Sequence, residues 1–183
     1  MERTSDLRGS REIDILADEI HRAHAGQPWH GPSVSKVLEG VTGAEAATRA
    51  LVGAHTIWEL ALHIAAWRGE VARRLETGKY GEPLEGDWPE APAPAGVAEN
   101  EAAWAATKEL LASAEAALQK SLASFPPERL GETFGGEVNP PLGTGTTFTV
   151  MLHGVAQHDA YHAGQVMMLK KALVAASPPE GSA

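Results

Sequence analysis

From residue 104 to residue 125 a bulky apolar side chain returns at every seventh position: Trp104, Leu111, Leu118 and Phe125. Thr107, Ala114 and Leu122 occupy the half-steps. A seven-residue recurrence split into threes and fours is the seam of a helix packed among other helices. It predicts a long helix from about Val97 to Ser124, ended by Pro126-Pro127, whose rings cannot continue it. A helix of that length with one apolar seam needs partners of similar length, and the rest of the chain supplies three.

The first partner runs from about Ser10 to His24, with Ile13, Leu16, Ile20 and Ala23 at helical spacing, and Gly26-Gln27-Pro28 stops it. Residues 1–9 are polar and are expected to fray. The second opens at Thr56, where Thr56-x-x-Glu59 has capping-box spacing, and runs to near Gly78 behind Ile57, Leu60, Ile64, Trp67 and Val71. The third starts near Thr146 or Thr147 and continues to about Ala175, with Met151, Val155, His158, His162, Val166, Leu169 and Leu173 in steps of three or four. Between these helices, Ser33 caps a short helix through Leu38 and Thr42-Gly43-Ala44-Glu45 opens another through Arg49. Residues 79–96, with Pro89, Pro92 and Pro94, cannot be helical throughout and read as a crossover between bundle helices. Residues 126–145 form a Gly/Pro-rich loop in which Thr133-Phe134 and Glu137-Val138 are expected to pair briefly as strands. The expected fold is all-α, a four-helix bundle with long crossover loops, in one domain over residues 1–183 with an ordered core of about 10–175.

Chemistry is narrowed by what the chain lacks. It has no cysteine, so disulfides, thiolate metal ligands and a cysteine nucleophile are excluded. Its net charge of −9 gives no electrostatic footing on a nucleic-acid backbone or an anionic membrane. No stretch has the length of a membrane span or the apolar core of a signal peptide, so a cytoplasmic location is the expectation.

Eight histidines remain, and periodicity sorts them. His158 and His162, four apart, share one helix face and interrupt an apolar stripe. His153 points about 140° and 180° away from them and belongs to another surface. His21 and His24 stand at a helix end, where a solvated or dipole-stabilised imidazole is the common case. His63 lies on or beside the inward face of its own helix. A buried imidazole must satisfy two ring nitrogens, and a metal ion satisfies one on each of several rings at once. The alternative is a set of hydrogen-bonded core histidines. Three converging imidazoles, His63, His158 and His162, suit Zn²⁺, Ni²⁺ or Fe²⁺ and leave coordination positions open, as catalytic sites do. Around them, Glu59 is read first as part of its capping box and second as an orienter of His63. Asp159 is read as solvated. Tyr161 and Gln165 are polar neighbours of His162, and each is a candidate to act at the site or an ordinary interhelical contact. Gly164 is expected to allow close helix approach. Trp29 and His30 sit on a turn that either lines the pocket or plugs the bundle end. Trp58 and Trp67 are expected to fill core or interface.

The segment Thr56–Trp67 with His63, the run His158-Asp159-Ala160-Tyr161-His162-Ala163-Gly164-Gln165, and the turn Trp29-His30-Gly31-Pro32-Ser33 with the following Leu38–Ala47 stretch resemble the DinB/YfiT-like superfamily of metal-dependent enzymes. The resemblance implies an up-down-down-up bundle, often dimeric, with Trp104 or Trp67 as candidate interface residues. It also implies a zinc or nickel ion on His63, His158 and His162. Better-understood members use the metal for thiol chemistry, as S-transferases or as a thiol-dependent isomerase. Because this chain has no cysteine, a low-molecular-weight thiol cosubstrate fits S-transfer. Hydrolysis is the second reading, and a non-catalytic, metal-stabilised binding or stress-response module is the third.

Overall fold

The computed structural model describes residues 2–93, 96–134 and 145–176. Six α-helices and one 3-10 turn make up its regular structure: α1 (Glu2–His24), α2 (Val34–Leu38), α3 (Gly43–Ala47), α4 (Ile57–Thr77), α5 (Val97–Ala123), the 3-10 turn Pro127–Arg129, and α6 (Phe148–Ala176). Both capping boxes are formed: Thr42 with Glu45 opens α3, and Thr56 with Glu59 opens α4. Gly78 ends α4 with φ 69°, a left-handed conformation that glycine adopts without a Cβ penalty.

α1 begins at Glu2 rather than near Ser10. The added residues include no proline, and extending a helix already nucleated costs far less than starting one. Gly9 lets this segment lie on the 3-10 turn, since a Cβ there would stand 2.9 Å from Pro127. Among the described residues no strand forms. One bridge pairs Thr133 with Thr147, and the expected partner Glu137-Val138 lies outside the described residues.

Each long helix packs on two others, in the ring α1–α5–α4–α6. Side-chain pairings give the directions. On α4 and α5, Trp58 meets Thr107, Arg68 meets Glu115 and Glu76 meets Ser121, so these neighbours run parallel. On α1 and α6, Glu19 meets His153 and His24 meets Asp159, also parallel. α1 and α5 run antiparallel, with His21 at Glu115 and Gln119 at the Ala17 carbonyl. Two parallel neighbours cannot be joined by a short turn. The connection from α4 to α5 therefore has to span the length of the bundle, roughly 30 Å for a 21-residue helix.

The apolar core falls into two clusters. One gathers Ile13, Leu16, Ile20, Leu75, Leu118, Leu122, Phe125, Phe148 and Leu152. The other gathers Val34, Ile57, Trp58, Leu60, Ile64, Trp104, Leu111, Val166 and Leu169. Trp104 is buried to 1% exposure and donates from Nε1 to the Val41 carbonyl at 2.7 Å. It is a core residue, not the interface residue expected. Between the clusters, at mid-height, lies a buried polar layer of Arg68, Glu115, Asp159, His24, His63 and His162. Arg68 donates to both Glu115 and Asp159, and His24 Nδ1 stands 3.7 Å from Asp159. Asp159 is 0% exposed, not solvated, because its helix face turns towards Arg68. His24 is likewise buried at 2% rather than a solvated helix-end residue, because α1 ends against that same carboxylate.

Candidate metal centre

α4 carries His63 and α6 carries His158 and His162, and antiparallel packing at mid-height brings their rings together. His63 Nε2 lies 2.9 Å from His158 Nε2, and His162 Nε2 lies 3.1 Å from it. Each residue offers a ring nitrogen within 4.8 Å of the others. Zinc ligands in tetrahedral array, with bonds of about 2.0–2.1 Å, stand roughly 3.3 Å apart.

The far sides of the rings decide which nitrogen is free. His63 Nδ1 is 2.6 Å from the Asp87 carbonyl oxygen, which can only accept, so Nδ1 carries the proton. His162 Nδ1 is 2.6 Å from Gln165 Oε1, with the same consequence. Both Nε2 lone pairs are thereby aimed at His158 Nε2. Burial holds the three imidazoles neutral. It pushes His158 down to about 3, with the neighbouring His162 and His63 adding to the effect. It lowers His63 against the opposing pull of Asp87, and lowers His162 against its bond to Gln165. Neutral, lone-pair-bearing and convergent nitrogens are the donor set a divalent cation needs, and the acceptors on Nδ1 are the usual outer support of such ligands.

Two residues of the returning strap, Asp87 and Trp88, complete the surroundings. The Trp88 ring stacks on His63 at 3.9 Å and, on its other face, on His55 at 3.5 Å. The Asp87 carboxylate accepts from Trp67 Nε1 at 2.7 Å. Sequence reading gave this strap no part in the site. The one signal was an acidic–aromatic pair inside a Gly/Pro-rich connector.

The other candidates separate clearly. Glu59 belongs to its cap, accepting from Thr56 N at 2.7 Å and from Arg49 at 2.8 Å. It reaches the cluster only through His55, whose Nδ1 lies 3.3 Å away. Gln165 holds the outer nitrogen of His162. Tyr161 is 66% exposed and sets its ring edge-on to His162 at 5.0 Å. Trp29 and His30 are exposed, and neither lines a cavity at the three histidines nor plugs the bundle, because their turn projects into solvent. Gly164 is exposed, with nothing within 4 Å of where a Cβ would stand, so it serves no close helix approach. His153 faces away and pairs with Glu19. Trp58 is core, and Trp67 borders the site.

Two cavities lie near the cluster. One of about 430 Å³ lies between Leu60, His55, Tyr161, Gln165, Met168 and Leu169 and is lined by none of the three histidines. The other, about 170 Å³, opens on His158. A separate cleft of about 870 Å³ is lined by Lys108 and by residues between Ala25 and Gly40, and it includes none of the three histidines.

The sequence that carries this three-histidine cluster matches the DinB superfamily over residues 30–166. The chain belongs to the DinB superfamily. The matched span takes in α2 to α5, α6 as far as Val166, and every residue of the three-histidine cluster. Comparisons with curated proteins and with solved structures found no match. No helix among the described residues of this DinB-superfamily chain is long and apolar enough to cross a membrane.

Proposed function

We propose that this DinB-superfamily chain is a metal-dependent enzyme whose His63, His158 and His162 hold a divalent cation, zinc or nickel, with iron(II) also compatible with the donor set. The observation that carries the reading is the convergence of three Nε2 atoms, two of them fixed as acceptors by the Asp87 carbonyl and Gln165. When bound, such an ion lowers the pKa of a thiol or water and presents the anion to an electrophile. The protein supplies the rest. Gln165 and the strap hold the ligand rings, Trp88 shields His63 from water, and Tyr161 stands at the mouth of the larger cavity. Since the chain has no cysteine, the thiol in a transferase reaction comes from a low-molecular-weight cosubstrate. A hydrolase is the alternative, with water in that role. A cavity that opens on His158 favours an enzyme over a purely structural ion. A cytoplasmic location and a homodimer belong to the same reading, and a monomeric mass by light scattering would remove the dimer.

The test is elemental analysis of protein purified without a His-tag and supplied with Zn²⁺ or Ni²⁺. One ion per chain is expected. His162→Ala should lose the ion while keeping its melting temperature. Absence of stoichiometric metal in the parent protein would refute the site, and collapse of the fold with the metal would make the ion structural. A screen of several thiols and electrophiles against the loaded protein then separates transfer from hydrolysis.

A further inference from the structure

The cavity that opens on His158 has an unusual wall for so acidic a chain. Trp67, Val71, Met151 and Val155 form its apolar sides, and Arg74 is the one formally charged residue that lines it. Along α4 and α6 the order of residues fixes its ends. His63 meets His158 at one end, and at the other stand Arg74, eleven residues after His63 on α4, and Met151, seven residues before His158 on α6. Two to three helical turns of backbone separate those ends, about 10 Å along α6 and about 16 Å along α4.

Arg74 is 4% exposed. It donates from Nε to Glu70 at 2.7 Å and from Nη2 to the Gly81 carbonyl at 2.6 Å. Those two bonds use two of the five N–H donors of a guanidinium. Glu70 does not neutralise the local charge, because the same carboxylate also accepts twice from Arg73. Two arginines share one buried glutamate, which leaves a net positive charge at this end of the cavity. The Asp87 carboxylate keeps its charge while accepting from Trp67 Nε1, and it stands at the histidine end, 3.4 Å from His63 Nδ1. The volume, about 170 Å³, is close to that of an apolar protein cavity that takes benzene, about 150 Å³.

We propose that this cavity binds a small organic anion, a carboxylate on a compact apolar body of about six carbons, with the carboxylate at Arg74 and the opposite end at the three histidines. The proposal deepens the enzymatic reading above and rests on it for the role of the histidine end. The apolar body displaces water from Trp67, Val71 and Val155, and the carboxylate meets a buried guanidinium, where a charge-assisted bond is about twice as strong as a neutral one. The substrate or cosubstrate held here is thus chosen by charge at a distance from the reacting end.

Calorimetric titration of phenylacetate and of its uncharged amide, phenylacetamide, into zinc-loaded and metal-free protein tests this. Phenylacetate should bind at least tenfold more tightly than the amide, with or without zinc. Arg74→Gln should abolish the preference. Gly154→Leu, at a position where an added Cβ meets nothing within 4 Å, should weaken both ligands at least tenfold by filling the cavity. Equal binding of acid and amide would overturn the proposal, as would a preference that vanishes on chelation, which would place the carboxylate on the metal. If Arg74→Gln does not fold, Gly154→Leu and the metal-free titration decide. Failure of the metal reading shows separately, as absence of zinc uptake, and leaves the metal-free preference for the acid in place.

Discussion

Arg68→Met in metal-free protein isolates the polar layer. Arg68 is 1% exposed and donates to two carboxylates, one of them on the fully buried Asp159. Methionine matches much of its length and leaves both carboxylates without their shared cation. Removing one partner of a buried ion pair costs about 3–5 kcal/mol, chiefly because the stranded charge cannot regain water. Domains of this kind hold about 5–15 kcal/mol in all. At about 2–4 °C per kcal/mol for a chain of this size, the melting temperature should fall by about 6–20 °C. The triple variant Arg68→Met, Glu115→Leu, Asp159→Leu should recover most of that loss, since well-packed apolar replacements for a buried ion cluster are often neutral or stabilising. Urea denaturation followed by circular dichroism reads both values. A single variant within about 1 kcal/mol of the parent, far below the 3–5 kcal/mol expected, would refute the argument, as would a triple variant no more stable than the single.

Gln165→Leu removes the acceptor on His162 Nδ1 while leaving the ligand nitrogen in place. Metal affinity, measured by competition with a chromophoric chelator, should fall about 10–100-fold, the usual cost of losing an outer partner of a ligand. Acidification probes the histidines directly. The folded pKa values of His158, His63 and His162 lie below the ordinary 6.5, and that of His158 is about 3. The unfolded chain therefore takes up protons that the folded one refuses. The associated stability is present above pH 6.5 and declines as pH falls from there towards about 3. Chemical denaturation of metal-free protein at pH 7 and pH 5 should show the loss, and a His158→Gln variant should show a smaller one.

Helices were readable because their apolar stripes are long and their caps are chemically explicit. Thr56-x-x-Glu59 placed the start of α4 to the residue, and the stripe on α6 carried His158 and His162 inward together. The third histidine was legible for the same reason. What escaped was everything set by contacts between distant segments. Asp159 looked solvated because its neighbours along the helix say nothing of Arg68, which reaches it from α4. His24 sits where a helix ends, and only packing shows that the end is buried against Asp159. Trp104 repeats on a seam, and no sequence pattern tells a seam inside one chain from a seam between two. Asp87 and Trp88 carry no periodicity at all, so their stacking and hydrogen bonds could be found only in three dimensions.

The acceptor on His63 is a main-chain oxygen, and that reverses the usual freedom of a connector. Most loops tolerate insertion and deletion and are choosy only about a few side chains. Here nearly any side chain at position 87 keeps the carbonyl, whereas one residue added or removed between Gly78 and Asp87 shifts it along the bundle by about 3 Å, more than a hydrogen bond can stretch. Variation among chains built on this plan should therefore spare the length of that half of the strap while its composition drifts, and gaps should collect on its other side, between Trp88 and α5.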